Sequence, residues 1–305
     1  MDPLLRLRGL HRLRHRARGG GHHTPGRRQP GHGPGPRCRC LLGAGCVPFR
    51  YRKAAPGRRF PHPERGGGGG VRVRFRYSKL GKVRWTSHRD MARMWERAFR
   101  RTHLPLAYSQ GFSPRPKVSF GLALPTGGES LGEYLDVEVA PEAAGEVDLA
   151  ALPGRLSTAL PEGVEVAAAA VVDDGAPSLQ HEVTSCAWAV WVADVEHEEL
   201  SDLASAAVAA EELFLARERK GHTTTEDVRP GLLACTVEGD SLRCELATQP
   251  RALRPSELLR ALRPDLEPAL IRRTHQWIER DGARAEPLAL LLEATGAPHV
   301  HGRAS

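Results

Sequence analysis

From Val71 onward the chain alternates. Residues 71–78, VRVRFRYS, set apolar against basic side chains at period two, which predicts a strand whose outer face carries Arg72, Arg74 and Arg76. Past Leu80-Gly81-Lys82, a turn, residues 83–85 continue in extended form. Ser87, with Asp90 three positions on, opens a helix, a weaker version of the Ser-to-Glu reciprocal cap. Met91, Met94, Trp95, Ala98 and Phe99 then recur at helical spacing, and Arg89, Arg93, Arg97, Arg100 and Arg101 occupy much of the rest. Pro105 ends that helix. Residues 106–109 and 118–124 read as strands flanking a long corner, 133–139 as a clean alternating strand, 149–160 as a helix and 164–172 as an apolar strand.

A similar order returns after a linker at residues 173–182. Residues 188–195 read as a strand and 200–217 as a long helix with Leu203, Ala207, Ala210, Leu213 and Phe214 on one face. Residues 232–237 and 242–247 form a hairpin around Glu238-Gly239-Asp240, Pro255 opens a short helix to Leu262, and 270–278 close as a strand. Hairpins demand antiparallel pairing, so the pattern favours two tandem ferredoxin-like βαββαβ domains of the α+β class over a doubly wound fold. The expected domains are 71–173 and 183–288, with a flexible tail at 289–305.

Charge divides the chain further. Residues 1–70 carry 16 Lys and Arg against 2 Asp and Glu, a net of +14, in a composition of Arg, Gly, Pro and His that ends in Gly66–Gly70. Such a segment buries too little apolar surface to offset chain entropy, so it reads as disordered. It suits a basic arm on nucleic acid, or translated sequence ahead of a natural start near Val71; the second is the expectation. Residues 71–117 hold 13 basic and 2 acidic residues, a net of +11, and residues 118–305 come to −17. The first domain is therefore expected to be basic and the second acidic. The six cysteines are scattered along a large chain, which argues against a disulfide scaffold and for a reducing cytoplasm, and Cys38, Cys40 and Cys46 lack the spacing of a zinc ribbon. No run of eighteen apolar residues exists to span a membrane, and the arginine-rich start lacks the apolar stretch of a secretory signal.

The corner at residues 108–117, YSQGFSPRPK, has the parts of an anion site. Gly111 permits close backbone approach, Ser109 and Ser113 offer hydroxyls, Gln110 an amide, Phe112 a stacking face, and Arg115 and Lys117 charge. Pro114 and Pro116 stiffen the backbone so that Arg115 is presented. The opposing interpretation is a wide hairpin whose basic residues are simply solvated. Arg74, Arg93 and Arg97 would extend the same basic surface, on which Trp85, Tyr108 and Phe112 could stack RNA bases; alternatively these arginines pair with the acidic half. His88 and Asp90 are the candidates for acid–base catalysis, although residues two apart on a helix do not face each other and Asp90 also suits the helix dipole. In the second half, Arg229 and Arg254 either reach the groove between the domains or, as expected, are structural, beside a strand end and a helix start. No phosphate loop, Ser-His-Asp order or metal-ligand spacing occurs in residues 71–305.

The stretch from Phe75 to Val139 resembles the start of the radical-SAM-linked protein family, the uncharacterised domain DUF2344. It shares a strand, a Ser-His-x-Asp helix start (Ser87, His88, Asp90) and a Tyr-Ser-x-Gly-Phe-x-Pro-x-Pro corner (Tyr108 to Pro116) in that order. Asp227-Val228-Arg229-Pro230, Arg254 to Leu259 and Arg272-Arg273-Thr274 are also of the family type, so the resemblance runs from about Val71 to Leu288. It implies work beside a separate cobalamin-binding radical SAM protein that uses S-adenosylmethionine and an iron–sulfur cluster. This chain lacks the Cys-x3-Cys-x2-Cys cluster motif, and no cofactor of its own is expected. The resulting expectation is a non-catalytic accessory that binds RNA or another anionic substrate. The alternatives are a subunit that docks on the radical SAM partner without touching nucleic acid, and an RNA-processing enzyme using His88.

Overall fold

The computed structural model describes residues 70–291, apart from Gly111, Asp174, Lys220, Gly221, Asp281 and Leu290 and the side chains of Glu146 and Arg219. The basic tail before residue 70, with its three cysteines, and most of the 289–305 segment lie outside the described residues.

The first half runs β1 (Val71–Lys79), α1 (His88–Arg101), β2 (Val118–Phe120), β3 (Glu129–Val139), α2 (Leu152–Ala159) and β4 (Val164–Val171). A short α3 (Leu179–Glu182) leads into β5 (Ser185–Val192), α4 (His197–Ala209), β6 (Phe214–Arg219), β7 (His222–Asp227), β8 (Leu232–Glu238), β9 (Ser241–Ala247), α5 (Pro255–Leu262), β10 (Pro268–Arg280) and β11 (Ala283–Ala285). Together they make a mixed α/β structure on one nine-stranded sheet, with β6 and β7 as a separate two-stranded ribbon.

In the first half β3 lies between β1 and β2, and β4 lies outside β1, all antiparallel. In the second half β9 lies between β5 and β8, and β10 lies outside β5, again antiparallel. Each half thus repeats one strand order. They join where β10 runs parallel to the start of β3, through Arg272↔Glu129 and Arg273↔Ser130.

The helix at 88–101 forms as the spacing predicts. Ser87 Oγ accepts the amide of Asp90 at 3.2 Å and donates to its carboxylate at 2.8 Å, closing the first turn. Met91, Trp95, Ala98 and Phe99 face inward. Trp95 meets Tyr77 edge-on at 5.0 Å and lies 5.3 Å from Phe99 and 6.2 Å from Phe75, so one indole packs the helix against β1.

The outer arginine face of β1 is not open. Side chains of β1 do alternate, but α3 and the segment after β11 cover the second face of the sheet, where Leu179, Leu288 and Leu291 share a core with Tyr134, Ala168 and Ala170. Arg74 is only 2% exposed there. Its guanidinium grips Asp136 on the paired strand at 2.8 and 3.0 Å and reaches Glu182 of α3 at 3.4 Å. Arg76 pairs with Glu286 at 3.3 Å, and Arg72 donates to the carbonyl of Ala176 at 2.6 Å. Period two told which residues share a face, not what lies on it.

Three local expectations also change. Residues 81–85 form a 3-10 turn rather than extended chain. The strands expected at 106–109 and 118–124 shrink to single bridges at Leu106 and Tyr108 and to the three residues of β2. The helix expected at 200–217 stops at Ala209, and Phe214 onward is strand. Arg229 caps that end: its guanidinium donates to the carbonyls of Val208 and Ala210 at 2.7 and 2.9 Å, groups the last helical turn leaves open, and ties them to Leu232 O of β8 at 2.9 Å. Leu215 is buried while Phe214 is exposed, a period-two split hidden inside an apolar pair.

Candidate functional site

The corner after Pro105 is a projection from a sheet edge. Ala107 N donates to Glu138 O at 2.8 Å, Lys117 N to Ala107 O at 2.9 Å, and Glu138 N to Lys117 O at 3.1 Å. The chain therefore arrives at β3, leaves it, and returns at the same level ten residues later. Between these points Tyr108 bridges Pro116, and Ser109 N donates to Arg115 O at 2.8 Å. Ser109 Oγ accepts the Arg115 amide at 3.1 Å, so this hydroxyl is a staple within the hairpin. Phe112 is fully exposed, Tyr108 half exposed, and Gln110, Ser113 and Arg115 lie at the surface. Lys117 Nζ pairs with Glu138 at 2.5 Å. Gly111 lies outside the described residues.

On α1, Arg89, Arg93, Arg97 and Arg100 fall on one stripe opposite Met91, Trp95 and Ala98, and all four are exposed. Arg93 pairs with Asp90 at 3.1 Å. Arg97 has no ion pair among the described residues. Asp90 is held below the usual carboxylate range first by its bond from Ser87, then by Arg93 and Arg89. The His88 ring instead meets Phe120 edge-on at 4.9 Å. The two residues proposed as a catalytic pair are thus engaged with different neighbours. Arg74, buried in its ion pairs, leaves the candidate surface altogether.

A second polar cluster, which sequence reasoning missed, lies where the halves meet. Tyr77, Lys79 and Glu133 project from β1 and β3 on the α1 side, and Arg273 enters from β10. Arg273 is 1% exposed, Lys79 5% and Glu133 6%. The Nε of Arg273 sits 3.1 Å from Glu133 Oε1, off the line of a hydrogen bond, while Nη2 donates to Glu133 Oε2 at 3.3 Å and to Leu122 O at 3.0 Å. The guanidinium also lies 5.0 Å from the Trp188 ring centre. Lys79 Nζ donates to the carbonyls of Arg84 and Thr86 at 3.3 and 3.1 Å. Burial raises the Glu133 carboxyl above its ordinary range despite Arg273, Ser130 and Lys79, and burial lowers Lys79 despite Glu133. Two features could have flagged the cluster: a lysine ending an apolar-in strand, and a glutamate inside EYLDVEV on the apolar side.

The model of a family described as an uncharacterized protein conserved in bacteria, DUF2344, matches residues 72–257. The chain belongs to the DUF2344 family. That span takes in α1, the projecting hairpin, Lys79 and Glu133, and ends before β10 and Arg273. No curated protein matches this DUF2344 chain. Among its described residues no helix is long and apolar enough to cross a membrane, and no group of three or more His, Cys, Asp or Glu is placed to hold a metal ion. Cys186, Cys235 and Cys244 are free and buried, and burial raises all three thiols, which suits packing rather than thiolate chemistry.

Proposed function

We propose that this DUF2344 protein is an RNA-binding accessory that meets RNA through the arginine stripe of α1 and through the exposed 108–116 hairpin. The observation that carries this reading is the stripe itself. Four guanidiniums at i, i+4, i+8 and i+11 point away from the core, and their charge is opposed nearby by Asp90 and Glu96 alone on that helix. Sequence-independent attraction to phosphates needs such a row. Phe112 and Tyr108 offer exposed rings to unpaired bases, which stack on aromatic faces. Each half is read as a ferredoxin-like βαββαβ unit, because each repeats the order fourth, first, third, second strand. The partner, on the strength of the family resemblance, is a separate cobalamin-binding radical SAM protein in the cytoplasm that brings the S-adenosylmethionine and iron–sulfur chemistry itself.

The test is filter binding of the full chain to total cellular RNA at about 50 and about 200 mM salt. Binding that weakens with salt and is lost on changing Arg89, Arg93, Arg97 and Arg100 to Glu supports the reading. Binding that ignores both salt and these changes, or no binding at all, overturns it.

A further inference from the structure

We infer that a single-stranded RNA segment is also gripped where the two halves join, its unpaired bases on the indoles of Trp85 and Trp191 and its intervening backbone on Arg84 and Arg272. The inference rests on the RNA-binding reading but uses none of the residues of the α1 stripe or the hairpin. Trp85 ends the 3-10 turn at residues 81–85 and is 64% exposed. Trp191 stands near the end of β5 and is half-buried. The Arg84 guanidinium lies 5.0 Å from the Trp85 ring centre, and the Arg272 guanidinium lies 5.0 Å from that of Trp191.

One carboxylate joins the two pairs. Glu129, buried at the start of β3, accepts from Arg272 at 2.8 and 3.0 Å through one oxygen. Its other oxygen accepts the Gly81 amide at 2.8 Å and lies 3.6 Å from Arg84. Burial works to raise the Glu129 carboxyl, but the Arg272 bond, the Gly81 amide and Arg84 hold it below the usual range, so it stays charged. It therefore aims two guanidiniums and can neutralise only one, while Arg84 and Arg272 remain 28% and 33% exposed. With Lys82 on the same turn and Asp240 at the Trp191 indole, three cations face two carboxylates, a surplus that suits a phosphate.

Both rings are fixed in place. The Trp85 indole lies against Gly127, where φ is +86° and a Cβ would stand 2.8 Å from ring atom Cζ3. Gly127 N in turn donates to Arg84 O at 2.9 Å. Trp191 Nε1 donates to Asp240 at 3.0 Å. A ring already held loses little freedom when a base stacks on it. Arginines attract either form of RNA, but only a single strand has base faces to offer, because duplex bases already cover one another.

The experiment is fluorescence anisotropy of the full chain with a labelled oligouridylate about twelve nucleotides long, and with an RNA duplex of the same length, at several salt concentrations. The single strand should bind more tightly. Trp85→Ala and Trp191→Ala should each weaken it at least about fivefold, the lower end of what one stacked base is worth, and Trp85→Phe should restore part of the loss. An indole releases no counterions, so the slope of affinity against salt should stay that of the parent, whereas changing the α1 arginines flattens it. Trp85→Ala removes an exposed ring, so it decides the matter if Trp191→Ala does not fold. Single-strand binding unchanged in Trp85→Ala, or a duplex bound as tightly as the single strand, would overturn this inference and leave the α1 surface standing. No binding of either RNA by the parent would overturn both.

Discussion

Arg273 and Glu133 touch at 3.1 Å across the boundary between the two halves, one on β10 and the other on β3. Only two residue pairs of backbone ladder join these strands, and side chains add to them: this buried contact, the Arg272–Glu129 pair at 2.8 Å and the Gln276 amide on Gly132 O at 2.8 Å. Removing one partner leaves the other charged and dry. Arg273→Met should therefore lower unfolding free energy by about 3–5 kcal/mol, and Arg273→Met with Glu133→Leu should recover most of it, because matched apolar replacement of a buried pair is often neutral. Urea denaturation of the three proteins checks this; equal loss in single and double variants would assign the cost to packing instead.

Glu257 supplies a pH dependence. At the start of α5 it accepts the Arg254 amide at 3.0 Å and pairs with Arg217 at 2.6 Å and Arg251 at 3.1 Å. Burial works to raise its pKa, but the amide and the two guanidiniums prevail and hold it below the ordinary value. A carboxylate depressed on folding stabilises above its unfolded pKa of about 4.3 and loses that contribution as pH falls through the folded value. Glu257→Gln should cost about 1.5–3 kcal/mol at pH 7, and the difference from the parent should shrink steadily as pH falls below about 4.3. Thermal unfolding of both proteins across that range is the measurement.

Two glycines should respond in opposite directions to alanine. Gly163 has φ of +90°, and a Cβ there would stand 2.3 Å from the carbonyl oxygen of Leu80, whose amide donates to Gly163 O at 2.8 Å. Gly163→Ala should destabilise by about 1–3 kcal/mol from the backbone conformation alone, more with the clash. Gly154 lies within α2 with open space around its Cβ direction, so Gly154→Ala should stabilise by about 0.5–1 kcal/mol. Melting temperatures of the two variants decide.

The hairpin separates stability from binding. Phe112 touches solvent on all sides, so Phe112→Ser should change unfolding free energy by less than about 0.5 kcal/mol. Under the RNA-binding account the same change weakens RNA affinity by about 1–3 kcal/mol, the worth of one stacked base. An unaltered RNA affinity would remove the hairpin from the contact surface.

Much of the element order was legible because long segments obey one period. Trp95 and its neighbours fix α1, the β8–β9 hairpin turns at Glu238-Gly239-Asp240 as its residues suggest, and α5 keeps both bounds of the Pro255 segment. What stayed hidden depends on contacts between distant residues. Arg74 looks solvent-facing until α3, more than a hundred positions away, brings Glu182 to it. The start of β6 falls inside the helix expected at 200–217 because its alternation is masked by Leu213, Phe214 and Leu215, three apolar residues in a row, and β7 carries no apolar pattern to mark it. Of the candidate surface, the α1 stripe and the hairpin tip could be read from spacing and composition. In the Lys79–Glu133–Arg273 cluster the strand pattern marks Lys79 and Glu133 as charges on an apolar face, but not Arg273, which arrives from the other half of the chain.

The salt dependence of RNA affinity tests the central claim most directly. Plotting the logarithm of the binding constant against the logarithm of salt concentration counts the phosphates engaged, with a slope of about −0.7 per contact for single strands. If Arg89, Arg93, Arg97 and Arg100 hold the RNA, changing all four to Gln should flatten that slope by about 3 while the fold is kept. A slope that is the same in parent and variant would mean the arginine stripe of α1 does not meet the nucleic acid.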